Sequence, residues 1–354
     1  MTITMTQLVH LTPATNRMTE ATPLDGVDLI LADLDGVIYT GKHAIPHAIE
    51  SINRAQETIR VGYITNNASR TPASVAEHLS SLGLHVTADD VVTSPQAAVT
   101  LLAGLAPAGS TILVIGGDGL VEVVKAAGFV VTDSADDKPA AVIQGFAPEL
   151  GWKQLAEASY ALARDAQGNG IPWVATNTDW TIPQERGIAP GNGTLVSAVH
   201  SAVGILPVVA GKPETPIFDA AKARFGASSP VFIGDRLDTD ILGANRAGIP
   251  SIMVLTGIDG AKQVIAAAPG SRPHFLLEDL RGLSEPYPTI EAGQDVDGST
   301  VTRVGDAIIR LREAKIIIEH AGDSRINLIR AGAAAIWTSG RAIYALDVPA
   351  ELYS

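Results

Sequence analysis

Asp33-Leu34-Asp35-Gly36-Val37 directly follows the apolar run Leu29-Ile30-Leu31-Ala32. The run reads as a strand, and the residues after it place two carboxylates two positions apart, on one side if the strand continues. Gly36 permits a sharp exit. Three more short motifs share this arrangement: Tyr63-Ile64-Thr65-Asn66-Asn67 ends the run from Val61, Gly211-Lys212-Pro213 follows Leu206 to Ala210, and Gly234-Asp235-Arg236-Leu237-Asp238-Thr239-Asp240 follows Val231 to Ile233. Strand ends in an open α/β sheet converge on one crevice, so residues distant in sequence can share a site. That site would gather several carboxylates, a hydroxyl, an amide and one lysine. Such a set suits a magnesium-dependent enzyme that handles phosphate.

The composition sets outer bounds. A chain of 354 residues, 46% apolar and 18% charged, is expected to fold as two or three globular domains. A formal net charge of −13 argues against a nucleic-acid partner and makes phosphate binding awkward unless a cation or local donors offset the field. The chain has no cysteine, hence no disulfide and no thiolate metal site, which fits a cytoplasmic location. Met1 to Thr22 lacks both a basic start and a continuous apolar run, so it reads as a disordered leader in residues 1–23. Ala331 to Ala335 is too short to span a bilayer, and no membrane partner is expected.

Along the chain, Ala44 to Ile59 and Thr71 to Leu82 read as helices, the second opened by Pro72 and closed by Gly83. Strand and helix alternate, as in a parallel sheet covered on both faces. A second series lies between Leu102 and Pro207: strands at Thr111 to Ile115, Ala141 to Gln144 and Trp173 to Thr176, with helices at Leu120 to Ala127 and Trp152 to Ala166. It reads as an inserted domain. The expected division is therefore a core over 24–101 and 208–290, an insertion over 102–207, and an appendage over 291–354. Ser284 to Thr300, rich in Pro, Gly and acidic residues, reads as a linker. Thr300 to Leu311 reads as a β-hairpin turning at Gly305-Asp306, and Ser324 to Trp337 as a helix.

Each motif has a plainer reading. Asp33 and Asp35 could simply end a strand in a turn. The GDRLDTD stretch could be an acidic helix start favoured by the macrodipole, with Asp238 a solvated surface residue. Taken together, however, the four motifs in this order resemble those of the haloacid dehalogenase superfamily. The Ala175 to Leu195 stretch, ATNTDWTIPQERGIAPGNGTL, is similar to the branch that inserts a large α/β cap between the second and third motifs. That branch includes 4-nitrophenylphosphatase-like, phosphoglycolate and glycerol-3-phosphate phosphatases. The PQERGIAPGNG wording and the C-terminal piece most resemble actinobacterial glycerol-3-phosphate phosphatases. The resemblance covers about Leu24 to Leu283.

It implies an α/β fold: a Rossmann-like parallel-sheet hydrolase core, an inserted α/β cap domain and a small α+β C-terminal appendage. It also implies roles. Asp33 would be the nucleophile, forming an aspartyl-phosphate, and Asp35 the general acid and then base. Mg²⁺ would be held by the Asp33 side chain, the Asp35 carbonyl and Asp235, with Asp240 bracing Lys212 or a metal water. Thr65, Asn66 and Lys212 would bind phosphate. Trp180, Ile182 and Arg186 would bear on substrate choice, while Asn177 and Asp179 fix the turns of that loop. The implied partner is a small phosphorylated metabolite, first glycerol 3-phosphate and second 2-phosphoglycolate; members of the branch often dimerise through the cap. The rival readings are a phosphotransferase or mutase, and a metabolite-binding or interaction protein that keeps the fold without the reaction.

Overall fold

The computed structural model of the protein describes residues 8–10, 21–68, 70–184 and 186–354. They form two compact units, one from the chain up to Val61 together with Ser229–Ser354, the other Gly62–Ser228. The architecture is a Rossmann-like α/β core with an inserted α/β cap and a C-terminal α+β appendage.

In the first unit, the strands Leu29–Ala32, Pro230–Gly234, Ser251–Val254 and Phe275–Leu277 lie side by side in that order, all parallel. Almost every residue in them is buried, as expected of strands covered on both faces. Leu31 pairs with Phe232 and Ala32 with Ile233, and the Asp33 N–H continues the ladder to the Ile233 carbonyl at 2.9 Å. The residues just past two neighbouring strands, Asp33 and Asp235, are thereby brought to the same carboxyl edge. The expected helix from Ala44 begins only at Ala48 and ends at Gln56. Before it, Tyr39–Thr40 and His43–Ala44 pair as a small antiparallel ribbon, and His47 takes a left-handed φ of 66°, which a continuing helix cannot accommodate.

The appendage corrects two expectations. Leu8–His10, in the stretch read as a leader, pairs antiparallel with Glu291 to Gly293; the rest of 1–20 lies outside the described residues. Ile290–Gln294, read as linker, is an internal strand of a five-stranded antiparallel sheet with Leu8–His10, Thr300–Val304, Ala307–Arg312 and Lys315–His320. The expected hairpin is present, with Val304 opposite Ala307 and Gly305 at φ 58°. The helix Arg325–Thr338, opened by the Ser324 hydroxyl accepting from the Asn327 N–H, buries Ala331, Ala333, Ala334 and Ala335. Its Leu328, Ile329 and Ile336 join one apolar cluster with Val304, Ile309 and Ile316 of the sheet and with Ile241, Met253 and Leu276 of the core. The appendage is fused to the core by shared burial rather than carried on a tether.

The second unit holds a five-stranded parallel sheet, ordered Val208–Val209, Trp173–Ala175, Ala141–Gln144, Thr111–Ile115 and Val130–Thr132. The helices Trp152–Leu162 and Asn192–Val203 close its core through Ala158, Leu162, Val196 and Val199. Val208 was expected to resume the core sheet. Instead Val208–Val209 edges the inserted sheet, beside Trp173–Ala175. The unit also contains most of the strand Arg60–Thr65, paired in parallel with Val91–Thr93, and the helix Pro72–Ser81 capped by the Thr71 hydroxyl. No helix among the described residues is long and apolar enough to cross a membrane.

Candidate active site

The predicted site residues fall into two groups, one in each unit. In the first, carboxylate oxygens of Asp33, Asp235 and Asp240 all lie within 4.8 Å of one another. Asp235 and Asp240 are each only 1% exposed. The turn Leu237–Ile241 folds the chain back, so that Asp240 Oδ2 accepts the N–H groups of Asp235 at 3.1 Å and Arg236 at 3.2 Å. Asp235 Oδ2 accepts the Ile258 N–H at 2.7 Å. Three ionised carboxylates this close repel one another unless a cation sits among them, and an all-oxygen donor set suits a hard divalent ion.

Two glycines make the cluster possible. Gly36, at φ 79°, and Gly257 lie so close to Asp235 that a Cβ on either would overlap its carboxylate. Asp35 is not one of the three clustered carboxylates and is exposed. Its turn is held by the Gly36 N–H to the Tyr39 carbonyl at 2.9 Å and by the Thr256 hydroxyl to the Gly36 carbonyl at 2.7 Å. Asp238 is a surface residue bonded to Arg236 at 2.9 and 3.1 Å. Sequence reasoning missed Asp259, whose Oδ2 accepts the Leu237 N–H at 2.7 Å and locks the loop after Val254 onto the motif. Burial pushes the Asp259 carboxyl above the ordinary carboxylate range. Its only sequence signal is an Asp-Gly pair, which any turn can carry.

In the second unit, Thr65 and Lys212 are each 4% exposed, the latter an unusual burial for a lysine. Asn66 organises them. Its Oδ1 accepts the Lys212 N–H at 2.8 Å, while Nδ2 donates to the Lys212 carbonyl at 3.0 Å and to Asp179 Oδ1 at 3.1 Å. The Asn66 amide is thus engaged with the Lys212 loop and with Asp179, which leaves its backbone N–H as the donor it could offer to phosphate. Gly211 is required at that approach, because a Cβ there would lie 2.6 Å from both Asn66 Oδ1 and the Thr176 carbonyl.

Asn177 and Asp179 do more than shape their own turn. The Asn177 side chain accepts the Asp179 N–H at 3.2 Å and donates to the Asn66 carbonyl at 2.7 Å, and Asn192 Nδ2 donates to the Asn177 carbonyl at 2.7 Å. Of the remaining candidates, Trp180 is 66% exposed and so is not cap core, while its carbonyl accepts the Thr194 hydroxyl. Ile182 lies in the hairpin Thr181–Gln184 with Gly187–Pro190, and Arg186 at its exposed tip. Asn66→Ala, which deletes all three side-chain bonds, is expected to lower the unfolding free energy by about 2–3 kcal/mol, measurable in urea titrations.

Comparison with known proteins places these features in context. Residues 30–130 match the family model described as haloacid dehalogenase-like hydrolase, and residues 209–283 a second model of the same kind. The D-glycerol 3-phosphate phosphatase of Mycobacterium tuberculosis is 39% identical over 316 residues, 88% of this chain and 86% of that one. An acid sugar phosphatase of Staphylococcus saprophyticus is 34% identical over 237 residues, 66% of this chain and 88% of its own. Among solved structures, the glycerol phosphate phosphatase of M. tuberculosis in complex with magnesium superposes with a TM-score of 0.79 at 37% identity, over 93% of this chain and 95% of that one. The p-nitrophenyl phosphatase of Archaeoglobus fulgidus does so with a TM-score of 0.66 at 25% identity, over 73% and 98%.

Proposed function

This chain belongs to the haloacid dehalogenase-like hydrolases, and from that premise we propose that it is a magnesium-dependent phosphatase that cleaves glycerol 3-phosphate. The observation that carries the reading is the cluster of Asp33, Asp235 and Asp240 at the carboxyl edge of the parallel sheet. Two buried carboxylates and a half-buried one within 4.8 Å of one another suit a cation site. Magnesium held by Asp33, Asp235 and the Asp35 carbonyl would neutralise charge on the phosphoryl oxygens.

The chain's own groups supply the rest. The Asp33 carboxylate attacks phosphorus, and the bond to the glycerol oxygen breaks as Asp35 delivers a proton to that oxygen. An aspartyl-phosphate on Asp33 and free glycerol result. Asp35, now ionised, takes a proton from water as the water oxygen attacks phosphorus, releasing phosphate and restoring Asp33. The Lys212 ammonium and the Thr65 hydroxyl stabilise the phosphoryl oxygens as charge shifts across them. Asp240 acts through the loop it holds, by its bonds to the Asp235 and Arg236 N–H groups. That the similar proteins are phosphatases supports water, rather than a second sugar or alcohol, as the acceptor.

Substrate choice is assigned to the segment from Asn177 to Pro190. Trp180 and Ile182 offer apolar surface and no charge of their own, which suits an uncharged glycerol leaving group, while Arg186 is the residue of this segment that would favour the carboxylate of glycolate if it reached the substrate. The test is phosphate release from glycerol 3-phosphate, 2-phosphoglycolate, sugar phosphates and 4-nitrophenyl phosphate, with magnesium and then with EDTA. Glycerol 3-phosphate should give the highest kcat/KM, EDTA should reduce turnover to background, and added magnesium should restore it. A different leading ester would overturn the substrate while leaving the chemistry; full activity in EDTA would overturn the metal.

A further inference from the structure

A pocket of about 230 Å³ lies within the first unit, where the appendage helix Arg325–Thr338 packs on the edge of the core sheet. Arg272 and Tyr287 line it from the core side, and Arg330, Ala333, Ala334 and Trp337 from the helix. Its walls are mostly apolar, yet two guanidinium groups face it. Arg330 is only 9% exposed. Its Nε and Nη2 donate to the Leu276 carbonyl at 2.9 and 2.7 Å, its Nη1 to Asn327 Oδ1 at 2.7 Å, and its head lies 4.4 Å from the Tyr287 ring centre. Arg272 donates to the carbonyls of Ala267 and Trp337, each at 3.3 Å, and lies 5.6 Å from the Trp337 ring centre.

The plain reading is that both arginines clamp helix to core through carbonyls and aromatic faces. That accounts for part of their hydrogen-bonding capacity, and the ring faces offset part of the charge without supplying a counter-ion. Neither makes an ion pair with a carboxylate among the described residues. The contrast within the same appendage is Arg310, which is bonded to Asp295 and Glu319 and lies 3.7 Å from Asp297. In a chain with 38 acidic and 25 basic residues, two half-buried or buried cations sharing one hollow without an acid are conspicuous. A buried charge lacking a counter-ion is costly, and an anion entering the pocket would relieve it. The volume holds about eight water-sized atoms, the size of a small organic acid.

We propose that this pocket binds a small organic anion, its carboxylate or phosphate on the Arg272 and Arg330 guanidinium groups and a flat apolar body against Ala333, Ala334 and Trp337. The site is separate from the Asp33 cluster and independent of the proposed reaction. Because its walls come from both core and appendage, an occupant would tie the two together and raise thermal stability by mass action.

The test uses the full chain, ¹⁵N-labelled, following the Trp337 indole N–H signal assigned with Trp337→Phe. Benzoate and phenylphosphonate supply the two anionic heads, and benzamide is the neutral control. A saturable shift with either anion is expected, with the tighter one identifying the preferred head and benzamide at least about tenfold weaker. Arg272→Gln should weaken that binding by about tenfold or more. Ala334→Phe, which fills the pocket and leaves both arginines in place, should abolish it, while circular dichroism and phosphate-ester turnover stay unchanged. The proposal is overturned if neither anion gives a saturable shift, if benzamide binds as well as benzoate, or if folded Arg272→Gln binds like the parent.

Discussion

Asp33→Asn is expected to lose about 10⁴-fold or more in kcat while keeping its fold. An amide cannot form the acyl phosphate that the first displacement requires, and no neighbouring carboxylate can replace it, because Asp235 and Asp240 are held by backbone N–H groups within their own loop. The same substitution removes one of three mutually repelling charges within 4.8 Å. Without magnesium the variant should therefore melt at or above the temperature of the parent, whereas magnesium should stabilise it less than it stabilises the parent. Phosphate-release assays and paired melting curves with and without magnesium check both halves. A folded Asp33→Asn protein retaining a tenth of the parent's activity would remove Asp33 from the reaction.

Asp35→Asn should cost about 10²- to 10⁴-fold in kcat, through both steps. Its side chain is not one of the three clustered carboxylates and is exposed, so the change should leave magnesium binding nearly intact. The loss should depend on the leaving group. Glycerol needs a proton as it departs, whereas 4-nitrophenolate does not, so formation of the intermediate should be far less impaired with 4-nitrophenyl phosphate. A burst of nitrophenol followed by slow turnover is the expected signature, because the second step still lacks its base. Equal loss on both substrates without a burst would show that Asp35 acts on position rather than on protons.

Much of this arrangement was legible in the sequence because its signals are local. Strands covered on both faces are written as uninterrupted apolar runs, so Leu29–Ala32 and Pro230–Gly234 announce themselves, and the polar residues that follow them must lie at the sheet edge. The hairpin at Gly305-Asp306 and the helix opened by Ser324 were equally readable from turn and capping chemistry. What escaped depends on partners far away in the chain. Ile290–Gln294 has a linker's composition, and its strand character comes from pairing with Leu8–His10 and Thr300–Val304. Val208–Val209 is apolar enough for either sheet, and only its register beside Val174 and Ala175 decides which. The sequence around Asn66 does not show that its side-chain amide bonds to residues 113 and 146 positions away. The fusion of appendage to core follows from a shared apolar cluster that no single helix or strand reveals.

The central claim is that phosphate passes through a covalent bond to Asp33. It is tested most directly by mixing Asp35→Asn protein with 4-nitrophenyl phosphate and magnesium, quenching in acid within the first turnover, and locating any added phosphoryl group by peptide mass spectrometry. The account predicts one phosphoryl group, on Asp33 alone, and none in EDTA or in the Asp33→Asn, Asp35→Asn double variant. Phosphate release at the full rate of the first turnover with no phosphorylated peptide, or with the group on another residue, would contradict it.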